Sequence, residues 1–249
     1  MIKVNPYSHN VPDVLNNETT QKRRNELIDN KEWLGKRYEK YYQENDIRKA
    51  LRKAYHNKCA FCEQTIKLPK KNCNKSFDND LTVEHFRPKS IYYWLAYSYD
   101  NLLPACKGCN ENKGKHFEIL GTKINEIRGS EIDTIHSLTE SYNQEELPKF
   151  IHPELEGFTL DFVYQKDGTV ESENERCQYV IKKCDLKRSK LIFKRRKIID
   201  DLKSQFQAIR TEEELYKLLK TIKAKSENSK TEFVTLYSYI LKNFNKIIL

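Results

Sequence analysis

Cys59-Ala60-Phe61-Cys62 and Cys106-Lys107-Gly108-Cys109 are two C-x-x-C pairs. Each spacing turns two thiolates towards one ion while the amides of a tight turn point at the sulfurs, and two such pairs make a tetrahedral all-thiolate zinc site. Four thiolates leave no position for water, so a Zn2+ held here is structural and closes the fold rather than catalysing. The segment between the pairs is longer than the usual ribbon spacing, so the two knuckles bracket a structural unit of their own. The remaining cysteines read differently. Cys177 and Cys184 stand seven apart with Val180 and Ile181 on one helical face and are expected to pack in the core, and Cys73 carries no assigned role. Seven cysteines cannot all pair within one chain, which favours a reducing, cytoplasmic setting and metal binding over a disulfide framework.

Lys and Arg total 45 against 36 Asp and Glu, a formal net charge of +9. That excess predicts a polyanionic partner and argues against a metabolic enzyme of neutral charge. A hydrophobic content of 38% with 11% aromatic residues excludes a disordered basic tail. No stretch reaches the ~18 apolar residues of a membrane helix, and the opening residues lack the apolar centre of a signal peptide, so no membrane association is expected.

Between the knuckles the chain reads TVEHFRPKS, from Thr82 to Ser90, and then DNLLPACKGCNENKGKHF, from Asp100 to Phe117. In order and spacing these segments resemble the HNH nuclease family. Its ββα-metal motif has an acidic–His pair on the first strand, an Asn before the second knuckle, and an Asn or His directly after it. Glu84 to Lys89, the Tyr/Trp-rich stretch that follows, and Asn101 to Gly114 resemble more closely the PtuB-type HNH nuclease subunits of Septu and retron-associated anti-phage systems. Cys184 to Lys197 is similar to a later segment of that group.

Hydrolysing a phosphodiester requires a deprotonated water, stabilisation of the pentacovalent charge and help for the departing oxygen, which one imidazole and one hard divalent ion supply. His85 is the candidate general base, since an imidazole of ordinary pKa, ~6.5, suits proton abstraction at neutral pH. Successive residues of a strand point to opposite faces, so Glu84 and His85 serve one site only if the strand ends or twists between them. The resemblance implies such a distortion, with Glu84 offering a carboxylate oxygen to Mg2+ or Mn2+. Asp is the commoner acid there in HNH proteins, and the longer Glu leaves direct and water-mediated ligation both open. The resemblance further makes Asn101 the residue that orients the base, and Asn110 a metal ligand through its amide oxygen, a hard donor. Arg87, Lys89 and Lys113 are candidate phosphate contacts. His116, six residues past Asn110, is a rival ligand on the same helix.

The same resemblance implies an effector nuclease of an anti-phage system, acting on nucleic acid (DNA ahead of RNA) with an ATPase partner. Two other readings share the zinc and the charge. A zinc-ribbon nucleic-acid-binding protein without catalysis has no chemical need of Glu84, His85, Asn101 and Asn110 together, and a free-standing restriction-type HNH nuclease would form no complex with an ATPase.

The elements that must position these residues are legible in outline. Glu18 to Asn57 reads as helical, with Ile47, Ala50, Leu51, Ala54 and Tyr55 on one face and Asn45 or Asp46 as the cap. The stretch from Ile91 to Tyr99 offers rings that could stack on bases but reads first as helical or strand core. Phe158, Leu160, Phe162 and Tyr164 alternate before a Lys166-Asp167-Gly168 turn and a return through Val170, which predicts a small hairpin. From Ser172 onward helix is expected. Ser172/Glu175 and Thr211/Glu214 have capping-box spacing, and Lys182, Lys183, Lys187, Arg188 and Lys190 with the run from Lys194 to Lys197 suggest a basic surface. The apolar positions Phe233, Leu236, Tyr237, Ile240, Leu241 and Phe244 offer a face either for internal packing or for docking a partner. The expected protein is α+β: an N-terminal helical segment (residues 1–57), a zinc-braced ββα-metal core (58–120), a connector with the hairpin (121–171) and a C-terminal helical segment (172–249).

Overall fold

The computed structural model describes residues 10–68, 77–127, 134–156 and 161–249. Helix α1 (Glu18–Asn30) starts where the Asn17 side chain accepts the Thr20 amide at 2.8 Å and stops at Lys31, which adopts φ 55°. The chain then turns at Gly35, whose φ of 89° suits a residue without Cβ, and runs through a 3-10 segment, Lys36–Tyr41, into α2 (Asn45–Ala54). The expected single helical stretch is therefore two helices and a 3-10 turn. Glu44 occupies the cap position of α2 without a side-chain bond, so neither Asn45 nor Asp46 caps it. Its buried face is Ile47, Leu51 and Ala54, at the expected helical spacing.

The central unit is an antiparallel pair followed by a short helix: β1 (Leu81–His85), β2 (Leu102–Cys106) and α3 (Lys107–Lys113). The register runs from Leu81 opposite Cys106 to His85 opposite Leu102 without interruption. Between the strands the aromatic stretch makes 3-10 turns at Tyr93–Leu95 and Tyr99–Asn101. As expected it is core: Tyr92, Trp94 and Leu95 pack with Ile124, Ile127 and Ile135, while Ala96 and Tyr97 join the cluster of Leu15, Leu27, Tyr38 and Tyr42.

Helix α4 (Thr139–Glu146) precedes a hairpin of two-residue strands, β3 (Val163–Tyr164) and β4 (Val170–Glu171). Phe162 and Tyr164 are buried there, whereas Phe158 and Leu160 lie outside the described residues. Helices α5 (Glu175–Lys183), α6 (Ser189–Ala208), α7 (Glu212–Glu227), α8 (Val234–Lys242) and α9 (Phe244–Ile247) complete the chain. The capping box at Thr211 and Glu214 is formed. At α5 the cap is Asn174, two residues after Ser172, because its carboxamide accepts the amides of Arg176 and Cys177.

One hydrophobic cluster joins the knuckles and the strands to the C-terminal helices, taking in Phe61, Leu81, Leu103, Phe150, Cys177, Val180, Cys184, Leu191, Ile199, Ile222, Leu236 and Ile240. Phe233, Leu236, Tyr237 and Ile240 are buried in it, and Leu241 and Phe244 pack against it. This apolar face is consumed by internal packing and is not left open for a partner.

Candidate zinc centre and catalytic ββα site

The two knuckles meet because the ladder brings them together. Cys106 ends β2 opposite Leu81, and the Ala60 amide donates to the Pro104 carbonyl at 2.9 Å, fastening the first knuckle to the same strand. The four buried sulfurs of Cys59, Cys62, Cys106 and Cys109 lie within 4.8 Å of one another, with Cys62 and Cys106 3.7 Å apart. A tetrahedron built on Zn–S bonds of ~2.3 Å sets its sulfurs about 3.8 Å apart, so the cluster already has the dimensions of that site. Hydrogen bonds from Cys109, Cys59 and Cys62 hold the Cys106 thiol far below its ordinary range, while burial pushes Cys62 and Cys109 well above theirs. A divalent ion bound among these sulfurs would offset the burial of their negative charge.

Arg188 completes this centre. Its guanidinium donates to the sulfurs of Cys106 at 3.3 Å and Cys109 at 3.6 Å, and to the Asp78 carboxylate at 3.0 Å. Asp78 in turn presses on Gly108, where a Cβ would stand 2.0 Å from its Oδ1, so only glycine admits the Asp78–Arg188 pair at this turn. A tetrathiolate zinc centre carries two net negative charges, and a guanidinium held on its sulfurs offsets part of them. In sequence Arg188 was one more cation of the expected basic surface, and nothing local marked it as turning inward. That surface is further reduced because Arg195 is buried against the Leu186 and Leu191 carbonyls, Lys194 pairs with Glu232 and Arg196 with Asp200.

His85, the last residue of β1, is 4% exposed. Its Nε2 lies 3.0 Å from the Ala96 carbonyl and its ring stands edge-on to Tyr42 at 4.5 Å. A carbonyl only accepts, so Nε2 carries the proton and Nδ1 is left as the basic nitrogen. Burial, with the charge of Lys89, lowers the His85 pKa to about 3, so the ring is neutral at physiological pH.

Asn101 is fully buried and holds the loop that presents Ala96. Its carboxamide donates to the carbonyls of Leu95 at 3.2 Å and Arg87 at 3.1 Å and accepts the Arg87 amide at 2.7 Å, while its own carbonyl accepts the Phe86 amide at 2.8 Å. It touches the backbone on both sides of the His85–Ala96 contact rather than the imidazole itself.

Glu84 faces the opposite side of β1. Its Oε1 accepts from Lys113 Nζ at 2.7 Å, and the same ammonium donates to the His85 carbonyl at 2.8 Å. Burial pushes the Glu84 carboxyl above its ordinary range, against the pull of Lys113. The strand is regular through His85, so the distortion implied by the resemblance is absent and the two side chains diverge as period two requires. Asn110, on α3, donates from Nδ2 to Thr82 Oγ1 at 2.9 Å, and that hydroxyl spends its hydrogen on the Ala105 carbonyl at 3.0 Å. The network leaves the Asn110 amide oxygen as its remaining donor to a metal, and Thr82 shares the Glu84 face of β1. One carboxylate and one amide oxygen fit Mg2+ or Mn2+, which keep waters and take substrate phosphate for the rest.

Beyond the absent strand distortion, the backbone-only contacts of Asn101 and the lowered His85 pKa, three further sequence expectations change. Lys113 is fully buried between Glu84 and the His85 carbonyl, so it holds the site together instead of meeting a phosphate. Arg87 is also fully buried, paired with Glu146 at 2.8 Å and bonded to Asn143 at 2.8 Å, because α4 closes over it. His116 is exposed beside Lys183 and off the helix, which ends at Gly114 with φ 47°. Lys89 keeps an accessible position: its ammonium sits 5.2 Å from the Trp33 ring and 5.4 Å from the Tyr42 ring, and its charge bears on both Glu84 and His85.

Residues 71–116 match the model of the HNH endonuclease family. The chain is 23% identical over 229 residues to the Septu protein PtuB of Bacillus mycoides (strain KBAB4), an alignment covering 82% of this chain and 70% of that protein. It is 40% identical over 70 residues to the Septu protein PtuB of Bacillus thuringiensis, covering 28% of this chain and 24% of that protein.

Proposed function

The middle of this chain is an HNH endonuclease domain, and from that premise we propose a divalent-metal-dependent nuclease whose general base is His85 Nδ1. The observation that carries the reading is the fixed tautomer: the Ala96 carbonyl holds the Nε2 proton, so the other nitrogen is free to take one from water. Asn101 positions that carbonyl. Glu84 and Asn110 would hold Mg2+ or Mn2+, and Lys113 keeps the Glu84 carboxylate in place from behind. When bound, the ion supplies charge stabilisation for the pentacovalent phosphate and the departing oxygen. Lys89, whose charge bears on both Glu84 and His85, would meet the scissile phosphate. The Cys59, Cys62, Cys106 and Cys109 cluster binds a structural Zn2+.

The likeness to PtuB along most of the chain supports an effector role in Septu-type anti-phage defence with an ATPase as partner, acting on nucleic acid, DNA before RNA. No helix among the described residues is long and apolar enough to cross a membrane, and a cytoplasmic site of action suits six cysteines that form no disulfide among the described residues. The test is a brief EDTA treatment that leaves zinc in place, followed by addition of Mg2+ or Mn2+. Cleavage lost and then restored is expected, and cleavage that survives with zinc alone would refute the second metal. For the partner, co-expression with a candidate ATPase subunit should yield one stable complex, and separate elution would favour a free-standing nuclease.

A further inference from the structure

The N-terminal segment that covers His85 carries a row of cations fixed by aromatic rings. The Arg37 guanidinium lies 5.0 Å from the Tyr38 ring and the Lys40 ammonium 5.1 Å from the Tyr41 ring, while Lys89 sits over Trp33 and Tyr42. The rings are themselves linked, with centroid steps of 6.2 Å from Tyr38 to Trp33, 6.1 Å from Trp33 to Tyr42 and 4.5 Å from Tyr42 to His85. Beside them lies an open groove of ≈ 490 Å³ lined by Arg23, Glu26, Leu34, Arg37, Lys40 and Tyr41. Its acid is occupied, since Glu26 accepts from Arg23 at 2.6 Å and from Tyr38 at 2.7 Å. Among the described residues Arg37, Lys40 and Lys89 form no ion pair with a carboxylate.

Long cationic side chains lose rotamer freedom when they grip a ligand, and stacking on a ring removes much of that cost in advance. Exposed cations without carboxylate partners, set on rings beside one groove and on the segment whose Tyr42 packs against His85, fit a chain of phosphates, whereas an acidic protein surface has no need of that proximity to His85. We propose that this groove, from α1 through the 3-10 segment to Lys89, is the track along which the nucleic-acid backbone approaches the catalytic site. The proposal rests on the nuclease reading.

The test uses the full zinc-loaded chain carrying His85→Ala, so that the probe survives, and a fluorescein-labelled 20-nucleotide DNA, single-stranded and as duplex. Anisotropy titrations over a salt series compare this protein with one that also carries Arg37→Gln and Lys40→Gln. Loss of two phosphate contacts should weaken binding at least tenfold and make the log–log salt dependence shallower by about 1.4 to 1.8, at equal zinc content. Unchanged affinity and slope, in a protein whose His85 form cleaves DNA, would overturn the track alone. A parent chain that neither binds nor cleaves nucleic acid would overturn both the track and the reading beneath it. Unchanged slope together with loss of a protein partner would reassign the groove to protein docking and also overturn the proposal.

Discussion

Arg87 and Lys89 are two residues apart and do opposite things. Arg87 is enclosed with Glu146, whose carboxylate also accepts from the Tyr92 hydroxyl at 2.7 Å and the Ile124 amide at 3.2 Å. Arg87→Ala leaves that carboxylate buried and unpaired, and chemical denaturation should show a loss of about 3–5 kcal/mol. Lys89 reaches the mouth of the site on an accessible stem, so Lys89→Ala should change stability little while lowering cleavage at least tenfold, the order of one lost charge-assisted contact. Equal destabilisation by the two substitutions would show that the distinction is wrong. His152 gives a second residue-scale expectation. Its ring packs on Phe86, its Nε2 donates to the Asp100 carbonyl at 3.2 Å, and burial lowers its pKa to about 3. The unfolded chain, with an imidazole pKa of ~6.5, binds the proton first, so stability is present above that pH and is lost as pH falls towards 3. At pH 5 the linkage amounts to about 2 kcal/mol relative to pH 7.5, and His152→Gln should flatten the measured pH dependence by about that much.

At the scale of elements, the four-cysteine cluster is a joint between β2, α3 and the start of α6. The Cys59→Ser/Cys109→Ser double variant should retain no zinc and lose the ordered middle of the chain. Arg188→Gln should keep the thiolates but weaken zinc retention about 10–100-fold in a chelator competition. Zinc held as tightly as by the parent would mean that Arg188 serves only Asp78. The cysteine spacing announced this joint because ligand geometry dictates it locally. The guanidinium on its sulfurs was hidden because the segment from Lys187 to Lys197 shows the same excess of cations whether they face water or a buried charge. The regular β1 was similarly hidden: the alternation of Glu84 and His85 argued for divergent side chains, and the resemblance argued against it.

For the molecule as a whole, the helices after Ser172 are part of the main core. Lys58 Nζ donates to the Thr231 carbonyl at 2.9 Å and Thr235 donates to Glu63 Oε2 at 2.8 Å, so α8 is sewn to the first knuckle as well as packed on α7. Deleting residues 231–249 removes Phe233, Leu236, Ile240 and Ile247 from the core. At about 2–5 kcal/mol for each of these four large side chains, the deletion costs as much as the ~5–15 kcal/mol that a domain has in hand. The truncated chain should lose cooperative melting, and a truncated chain that melts like the parent would restore this face as a free docking surface. Periodicity located the apolar positions here but not their partners, since an amphipathic face looks the same whether it meets its own chain or another. The candidate catalytic set could be named from sequence because its order and spacing lie within one segment, residues 84–110. Its supporting cast, Lys113 behind Glu84, Tyr42 against His85 and the Asn101-held loop at Ala96, arises from contacts between distant segments.

The most direct test of the account is divalent-dependent cleavage of supercoiled plasmid DNA by the zinc-loaded chain and by His85→Ala, with zinc content measured on both. The account predicts equal zinc and a rate at least about 100-fold lower in His85→Ala, the low end of what a positioned general base contributes. Cleavage by His85→Ala at the parent rate would contradict it.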